Sequence, residues 1–405
     1  MRRTGMAFVL TAALVSFTIL SLGFAAEKLP IGALAPLSPP GAHIQGKELI
    51  DGVQLAVEDI NKAGGLLGKQ IELFVEDTQG RPEVGATAVE KLIDKRGVVG
   101  ITGEYHSSVC TAEIEVVHRR NVPFVIGSCW FDGLTEKGYP QVFRTSMFNS
   151  RLAEMIALLI QKQGFKNVSA LVEDTDYGIG VGKNITAAIK RLQIDANFAY
   201  EVVERTTPHF VPILLKYRTA KPKPDLLITA VTQPGFFLLV KQAYEIGLTP
   251  TKDTLLLDAT CTAQRYTEFW PAVKRGGNYI LFACPYSPSV KLTKLGEAVK
   301  ARFQQKFNRE PTYVVIQGYD GMLALAKGIE KAGSTDPDAI IKALEGLQIL
   351  GTRGTITFSM EKNLYYHQWK EVPAFIFQYT KMNQEPKDAA TILPDEFATA
   401  NLAHP

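Results

Sequence analysis

Three short stretches of this sequence gather side chains of the kind that hold or transform small molecules. The first, Gly103-Glu104-Tyr105-His106-Ser107-Ser108, lies between the apolar run Val98 to Thr102 and a helical pattern. Hydroxyls and free backbone N–H groups at a helix start suit an anionic oxygen, because the aligned peptide dipoles favour negative charge there. Serine at this place also serves as an N-cap, so Ser107 and Ser108 are candidates for both tasks. The second stretch, Gly127-Ser128-Cys129-Trp130-Phe131-Asp132, puts two aromatic rings after the apolar run Val122 to Ile126. Such rings form either a flat wall for a solute or a piece of core. The third, Glu173-Asp174-Thr175-Asp176-Tyr177-Gly178-Ile179-Gly180, offers acids suited to a metal or cationic group and glycines suited to a tight turn.

Signatures of catalysis are missing around these stretches. Gly178-x-Gly180-x-Gly182-Lys183 lacks the dinucleotide spacing, and Asn184 stands where a phosphate-binding loop needs Ser or Thr. The sequence contains neither a GxSxG elbow nor an HExxH helix. His43, His106, His118, His209, His367 and His404 are scattered without metal-ligand spacing. His106 and Ser107 are adjacent, but neighbouring residues point in different directions, whereas a nucleophile and its base must converge. An enzyme, such as a hydrolase, is therefore the minority expectation, and no cofactor or metal is expected.

The elements that must position these loops alternate regularly. Strand-like runs at Leu29 to Ala35, Ile71 to Val75, Val98 to Thr102, Val122 to Ile126, Val168 to Val172, Leu226 to Val231, Leu255 to Leu257 and Tyr279 to Ala283 are separated by helical patterns, the clearest being Leu49, Ile50, Val53, Val57 and Ile60. This predicts an α/β fold of doubly wound parallel sheets covered on both faces, with ligands outside the carboxyl ends of the strands.

Arg2 and Arg3, the apolar run Ala7 to Leu22, and the small residues Gly23 and Ala25 have the form of a secretory signal peptide over residues 1–26, which predicts a periplasmic, soluble mature protein. Removing it takes away two positive charges and lowers the formal net charge from +3 to +1. Nucleic acid and anionic membrane, which need clustered Lys and Arg, are thereby disfavoured, and no later segment is apolar enough to insert in a bilayer. The roughly 380 remaining residues exceed what one core usually serves, so two lobes are expected.

The run Gly46-Lys47-Glu48-Leu49-Ile50-Asp51-Gly52-Val53-Gln54-Leu55-Ala56-Val57-Glu58-Asp59-Ile60-Asn61-Lys62-Ala63-Gly64-Gly65 resembles the first helix of the periplasmic leucine/isoleucine/valine-binding proteins. Ile101-Thr102-Gly103 followed by Ser107-Ser108, then Leu134 to Pro140 with Phe143-Arg144-Thr145, then Asp176-Tyr177-Gly178, continue the likeness in order. The resemblance implies a type I periplasmic binding fold, whose two lobes are joined by three crossovers and close over a solute for delivery to the membrane permease of an ABC importer. Crossovers near Thr145, Pro285 and Thr355 would make residues 27–145 plus 286–355 one lobe and 146–285 plus 356–405 the other. A monomer is expected, and a periplasmic ligand sensor on the same fold is the alternative.

By the same resemblance Ser107 and Ser108 correspond to the carboxylate anchor, Tyr177 to an aromatic lining residue, and Gln45 to an aromatic that packs on the ligand side chain. Cys129 and Trp130 replace a small residue and a threonine, and Thr232 or Gln233 falls near a tyrosine position. Thr260 stands where an acid normally holds the ligand's α-ammonium. A buried ammonium without a carboxylate is costly, so a carboxylate without an α-ammonium is the expected ligand, unless Glu104, Asp174 or Asp258 supplies the missing charge. Lobes that must open also imply disulfides within each lobe, Cys110 with Cys129 and Cys261 with Cys284, although four cysteines allow three complete pairings.

Overall fold

The computed structural model describes residues 27–405, so the expected signal peptide lies outside the described residues. The first sheet consists of β1 (Lys28–Ala35), β2 (Gln70–Asp77), β3 (Ile101–Gly103), β4 (Phe124–Ile126) and β5 (Val142–Arg144), in the order β2-β1-β3-β4-β5 with every pairing parallel. The second contains β6 (Asn167–Glu173), β7 (Asn197–Val203), β8 (Leu226–Ala230), β9 (Leu255–Asp258) and β10 (Leu281–Cys284). A small hairpin, β11 (Gln348–Leu350) with β12 (Thr355–Thr357), precedes β13 (Phe375–Gln378) and β14 (Ala390–Leu393). The second sheet runs β14-β13-β10-β9-β8-β6-β7, and its last two strands pair antiparallel, a departure from the all-parallel expectation. Antiparallel addition at β13 needs no crossover helix, and the strand-plus-helix rhythm is correspondingly absent there.

Helices cover both sheets. His43–Lys62 and Tyr313–Ala332 lie side by side on the first sheet, and glycines set how closely they approach. A Cβ on Gly52 would stand 2.0 Å from the Val315 carbonyl oxygen, and one on Gly318 would stand 2.2 Å from that of Leu49. The approach brings Tyr313, at the start of the second helix, to the cleft. Among the described residues no helix is long and apolar enough to cross a membrane.

The chain leaves the first sheet after Arg144 and enters the second through helix Asn149–Gln163. It returns after Cys284 to helix Lys294–Phe307. Thr355 does not mark the third passage. It begins β12, and the chain continues to Gln368, which bridges in parallel to Arg144 at the edge of the first sheet, before reaching the second sheet at Phe375. The Arg144 N–H donates to the His367 carbonyl and the Trp369 N–H to that of Arg144, so this segment extends the first sheet without a strand-like apolar run.

Candidate functional site

Loops at the carboxyl ends of the strands of both sheets enclose a cavity of about 190 Å³. From the first lobe come Tyr105 to Ser108 after β3, Ser128 and Trp130 after β4, and Tyr313. From the second come Glu173, Thr175 and Tyr177 after β6, Arg205 after β7, Thr232 after β8 and Thr260 after β9. This is where an open α/β sheet presents helix N-termini and irregular backbone, and both lobes aim that edge at the same space.

The first-lobe wall is rich in donors. Helix Ser107–Arg120 begins at the cavity, and the N–H groups of Ser107 and Ser108 have no acceptor within the helix. Ser107 Oγ accepts the N–H groups of Trp130 and Phe131, each at 3.2 Å, which occupies its lone pairs and leaves its proton to be donated. Trp130 is 4% exposed, and its indole N–H is buried without a partner. A buried donor without a partner calls for an explanation, and this one belongs to a side chain that lines the cavity.

Two devices hold the Trp130 loop in place. Cys129 is bonded to Cys110 of the neighbouring helix, with Cα atoms 6.6 Å apart. Arg144, fully buried at the end of β5, donates Nη1 to the carbonyls of Cys129 and Phe131 at 3.1 and 2.6 Å. The carbonyls turn toward the guanidinium and the intervening N–H groups toward Ser107. Burial lowers the Arg144 pKa to about 10, which still leaves it charged at neutral pH. A second disulfide, Cys261–Cys284, joins the ends of β10 and the loop after β9.

Apolar surface comes from a cluster of rings. Trp130 meets Tyr177 edge-on at 6.0 Å and Tyr313 at 5.6 Å between centroids. The Tyr177 hydroxyl donates to the Ala259 carbonyl at 2.8 Å and that of Tyr313 to the Thr260 carbonyl at 3.3 Å, which leaves the ring surfaces for the cavity. Trp130 and Tyr177 therefore make one continuous wall across the lobe boundary rather than two separated jaws.

The opposite wall is acidic but engaged. Glu173 Oε2 accepts the N–H and hydroxyl of Thr232 at 2.8 and 2.7 Å, and Oε1 accepts the Thr175 hydroxyl at 2.8 Å. Burial raises its pKa, while these bonds and the positive charge of Arg205 pull it back.

Of the residues expected from sequence, Ser107, Ser108, Trp130, Tyr177, Thr232 and Thr260 lie around this cavity. Gln45 and Cys129 do not. Gln45 donates across the cleft to Gln233 at 2.9 Å, and Cys129 is consumed by its disulfide. The acids named as substitutes for Thr260 are committed elsewhere: Glu104 to Thr78 and the His106 N–H, Asp174 to the Arg205 N–H, and Asp258 to Thr260 and Ala263. Tyr105 and Glu173 stood in the quoted stretches without a ligand role of their own, and Tyr313 and Arg205 were not expected. Tyr313 follows the second passage between lobes and carries no local motif, whereas Glu173 opens the third quoted stretch, whose acids suit a cationic group.

The His106 ring accepts the Ala42 N–H at Nε2, 3.0 Å away, and burial with the Arg205 charge lowers its pKa to about 3. It is a neutral structural acceptor, and among the described residues no hydrogen bond links it to the Ser107 hydroxyl.

The lobes are closed. The Asp176 N–H bonds Ser108 Oγ at 3.2 Å, Thr111 bonds Asp176 at 2.9 Å, and the nearly buried Arg265 pairs with Glu48 at 2.7 Å.

Beneath the serine loop, burial raises the Glu104 pKa to about 7, with a further push from the Asp77 charge, and burial and the Glu104 charge raise that of Glu113, which is buried without partners. An acid whose folded pKa exceeds its unfolded value stabilises the fold below the unfolded pKa and loses that contribution as pH rises through the folded one. Replacing Glu104 with Gln removes this loss. The difference in unfolding midpoint, Glu104→Gln minus wild type, is expected to increase between pH 4.5 and 7.5. Taking the difference cancels His106, whose depressed pKa acts with the opposite sign. A constant or falling difference contradicts a Glu104 that gains its proton on folding.

Residues 28–381 match the family model described as periplasmic binding protein. The chain belongs to that family. It is similar to the Leu/Ile/Val-binding protein homolog 3 of Brucella melitensis, with 27% identity over 345 residues that cover 84% of this chain and 90% of the relative. In structure it is similar to the branched-chain amino acid transporter substrate binding protein LivJ of Streptococcus pneumoniae in complex with isoleucine (TM-score 0.77, 21% identity, 91% of this chain and 100% of that one). It is also similar to a solute binding protein of an ABC transporter from R. palustris in complex with benzoate (TM-score 0.73, 19% identity, 93% and 100%). At these identities the structural likeness concerns the periplasmic binding fold itself, with two lobes around a cleft.

Proposed function

We propose that this chain is the periplasmic solute-binding component of an ABC importer of the branched-chain amino acid type, exported through a signal peptide at residues 1–26. Its solute is a small carboxylate with an apolar, ring-bearing or branched body and no α-ammonium. The observation that carries this is the pairing of orphan donors, the Ser107 hydroxyl proton and the Trp130 indole N–H, with a wall of aromatic rings. A carboxylate supplies the acceptors, and the rings cover its body. The cavity is somewhat larger than the roughly 150 Å³ void that holds benzene, which fits one ring with its carboxylate. Isoleucine and benzoate, the ligands in two of the similar structures, both carry a carboxylate. Binding and closure require no bond to be made or broken, so the site works without catalysis.

A second reading has one observation in its favour. Glu173 lines the cavity and is an acid that an amino-acid ammonium would seek. Its three hydrogen bonds from Thr175 and Thr232, with Arg205 on the same wall, already stabilise its charge and favour the first reading.

Ser107→Ala removes the donated proton and the acceptor of two backbone N–H groups. It is expected to weaken carboxylate binding by about 1.5–3 kcal/mol, the range for a hydrogen bond to a charged group. Calorimetric titration with benzoate measures this. Unchanged affinity takes Ser107 out of the site.

A further inference from the structure

A second cavity, of about 220 Å³, lies among the connections between the lobes and shares no residue with the interlobe site. Arg151 reaches it from the helix after the first connection, Tyr286 and Val290 from the second, Arg353 from the hairpin β11–β12, and Phe375 from the strand after the third.

Three donors of this wall have no acceptor. Arg353 is 9% exposed. Its Nε bonds Asp320 at 3.1 Å and its Nη2 bonds the Thr145 carbonyl at 3.0 Å, but Nη1 is buried and unpartnered. The Tyr286 hydroxyl, in a side chain 1% exposed, is also unpartnered. Arg151 gives Nη1 to Glu154 at 3.1 Å and leaves Nε without a partner. A buried donor left unsatisfied is costly, more so on a charged group, and the side chains that carry these three all line one void. The remaining wall is apolar, with Val290, Leu292 and Phe375, and the half-exposed ring of Phe397 stands at the edge.

The geometry points to a second binding site for a small carboxylate on an apolar body, distinct from the interlobe site. A carboxylate offers about four lone-pair positions, enough for the three donors. Water alone would satisfy the donors but leave apolar walls wet, whereas voids with such walls take apolar solutes. Inorganic anions match the donors and not the walls. Because each wall belongs to a different connection, an occupant fixes the relative placement of the segments about which the lobes turn. Its affinity therefore differs between open and closed forms, and it shifts the balance between them.

The test counts benzoate equivalents bound by the mature protein and by a Val290→Trp variant, which fills the cavity and leaves the interlobe site untouched. The variant is expected to bind one equivalent fewer, and Tyr286→Phe is expected to weaken that same equivalent about tenfold or more. Crystals soaked in benzoate should show a ring beside Phe375 with its carboxylate at Arg353 Nη1. The count remains informative even where the interlobe site refuses benzoate, since the comparison concerns the equivalent lost. Equal stoichiometry in wild type and Val290→Trp, or only ordered water against Arg353 Nη1 after soaking, overturns the proposal.

Discussion

A protein carrying both Trp130→Ala and Tyr177→Ala is expected to lose measurable affinity for its solute while keeping its fold. Covering an apolar body with a large side chain contributes roughly 1.5–3 kcal/mol per residue, so losing two walls costs about 3–6 kcal/mol, or roughly two to four orders of magnitude in affinity. The loop backbone does not depend on these rings. Ser107 accepts the Trp130 N–H, the Trp130 carbonyl accepts from Asn149 at 2.7 Å, and the Cys110–Cys129 bridge pins the loop from the other side. Trp130→Phe separates the two functions of the indole, because it keeps a ring and removes the N–H. It is expected to lose about tenfold or more in affinity for a carboxylate ligand, the value of a charge-assisted hydrogen bond. Titration alongside ligand-free thermal unfolding checks both variants. Normal binding by the double variant would make these rings core packing and nothing more.

The largest expected loss of stability comes from Asp320→Ala. Asp320 is fully buried, accepts the Thr352 N–H at 2.8 Å and hydroxyl at 2.7 Å, and pairs with the Arg353 Nε. Arg353 in turn bonds the Thr145 carbonyl and lies over Trp369 with its guanidinium carbon 5.1 Å from the ring centre. Removing the acid strands a buried guanidinium, which typically costs about 3–5 kcal/mol. The network joins the first connection to the third, so the loss also loosens the hinge. Asp320→Asn keeps an acceptor for Thr352 and should fall between the two. Urea unfolding without ligand measures the series, and an Asp320→Ala midpoint equal to that of wild type contradicts the account.

Most parallel strands were legible because buried parallel strands leave apolar runs at regular distance, as at Leu29 to Ala35 and Val168 to Val172, whereas the order in which they pair and the short strands β5, β13 and β14 were not. Strand β7 was missed as well, because it lies at the sheet edge and its burial alternates with exposure. The chain after Thr355 was misjudged for a related reason: Gln368 joins the first sheet through a single bridge and leaves no apolar signature. At the site, serine and tryptophan stood out because their types fit the chemistry. Arg205 and Tyr313 did not, since each is placed by a fold-level approach of distant segments. Gln45 failed for a physical reason, as its amide finds Gln233 in the closed cleft. Arg144 was visible only as part of a motif, and its task of turning the carbonyls around Trp130 needed coordinates.

The central claim is that this cleft selects a carboxylate and has no place for an α-ammonium. Purified protein, stripped of ligand by unfolding and refolding, is titrated calorimetrically with leucine, with its deaminated 2-oxo acid and with benzoate. Saturable binding of at least one of the two ammonium-free acids, tighter than leucine and weakened by Ser107→Ala, is the predicted result. Tight binding of leucine with no response to either acid, and loss of that binding in Glu173→Gln, contradicts it and makes Glu173 the ammonium partner.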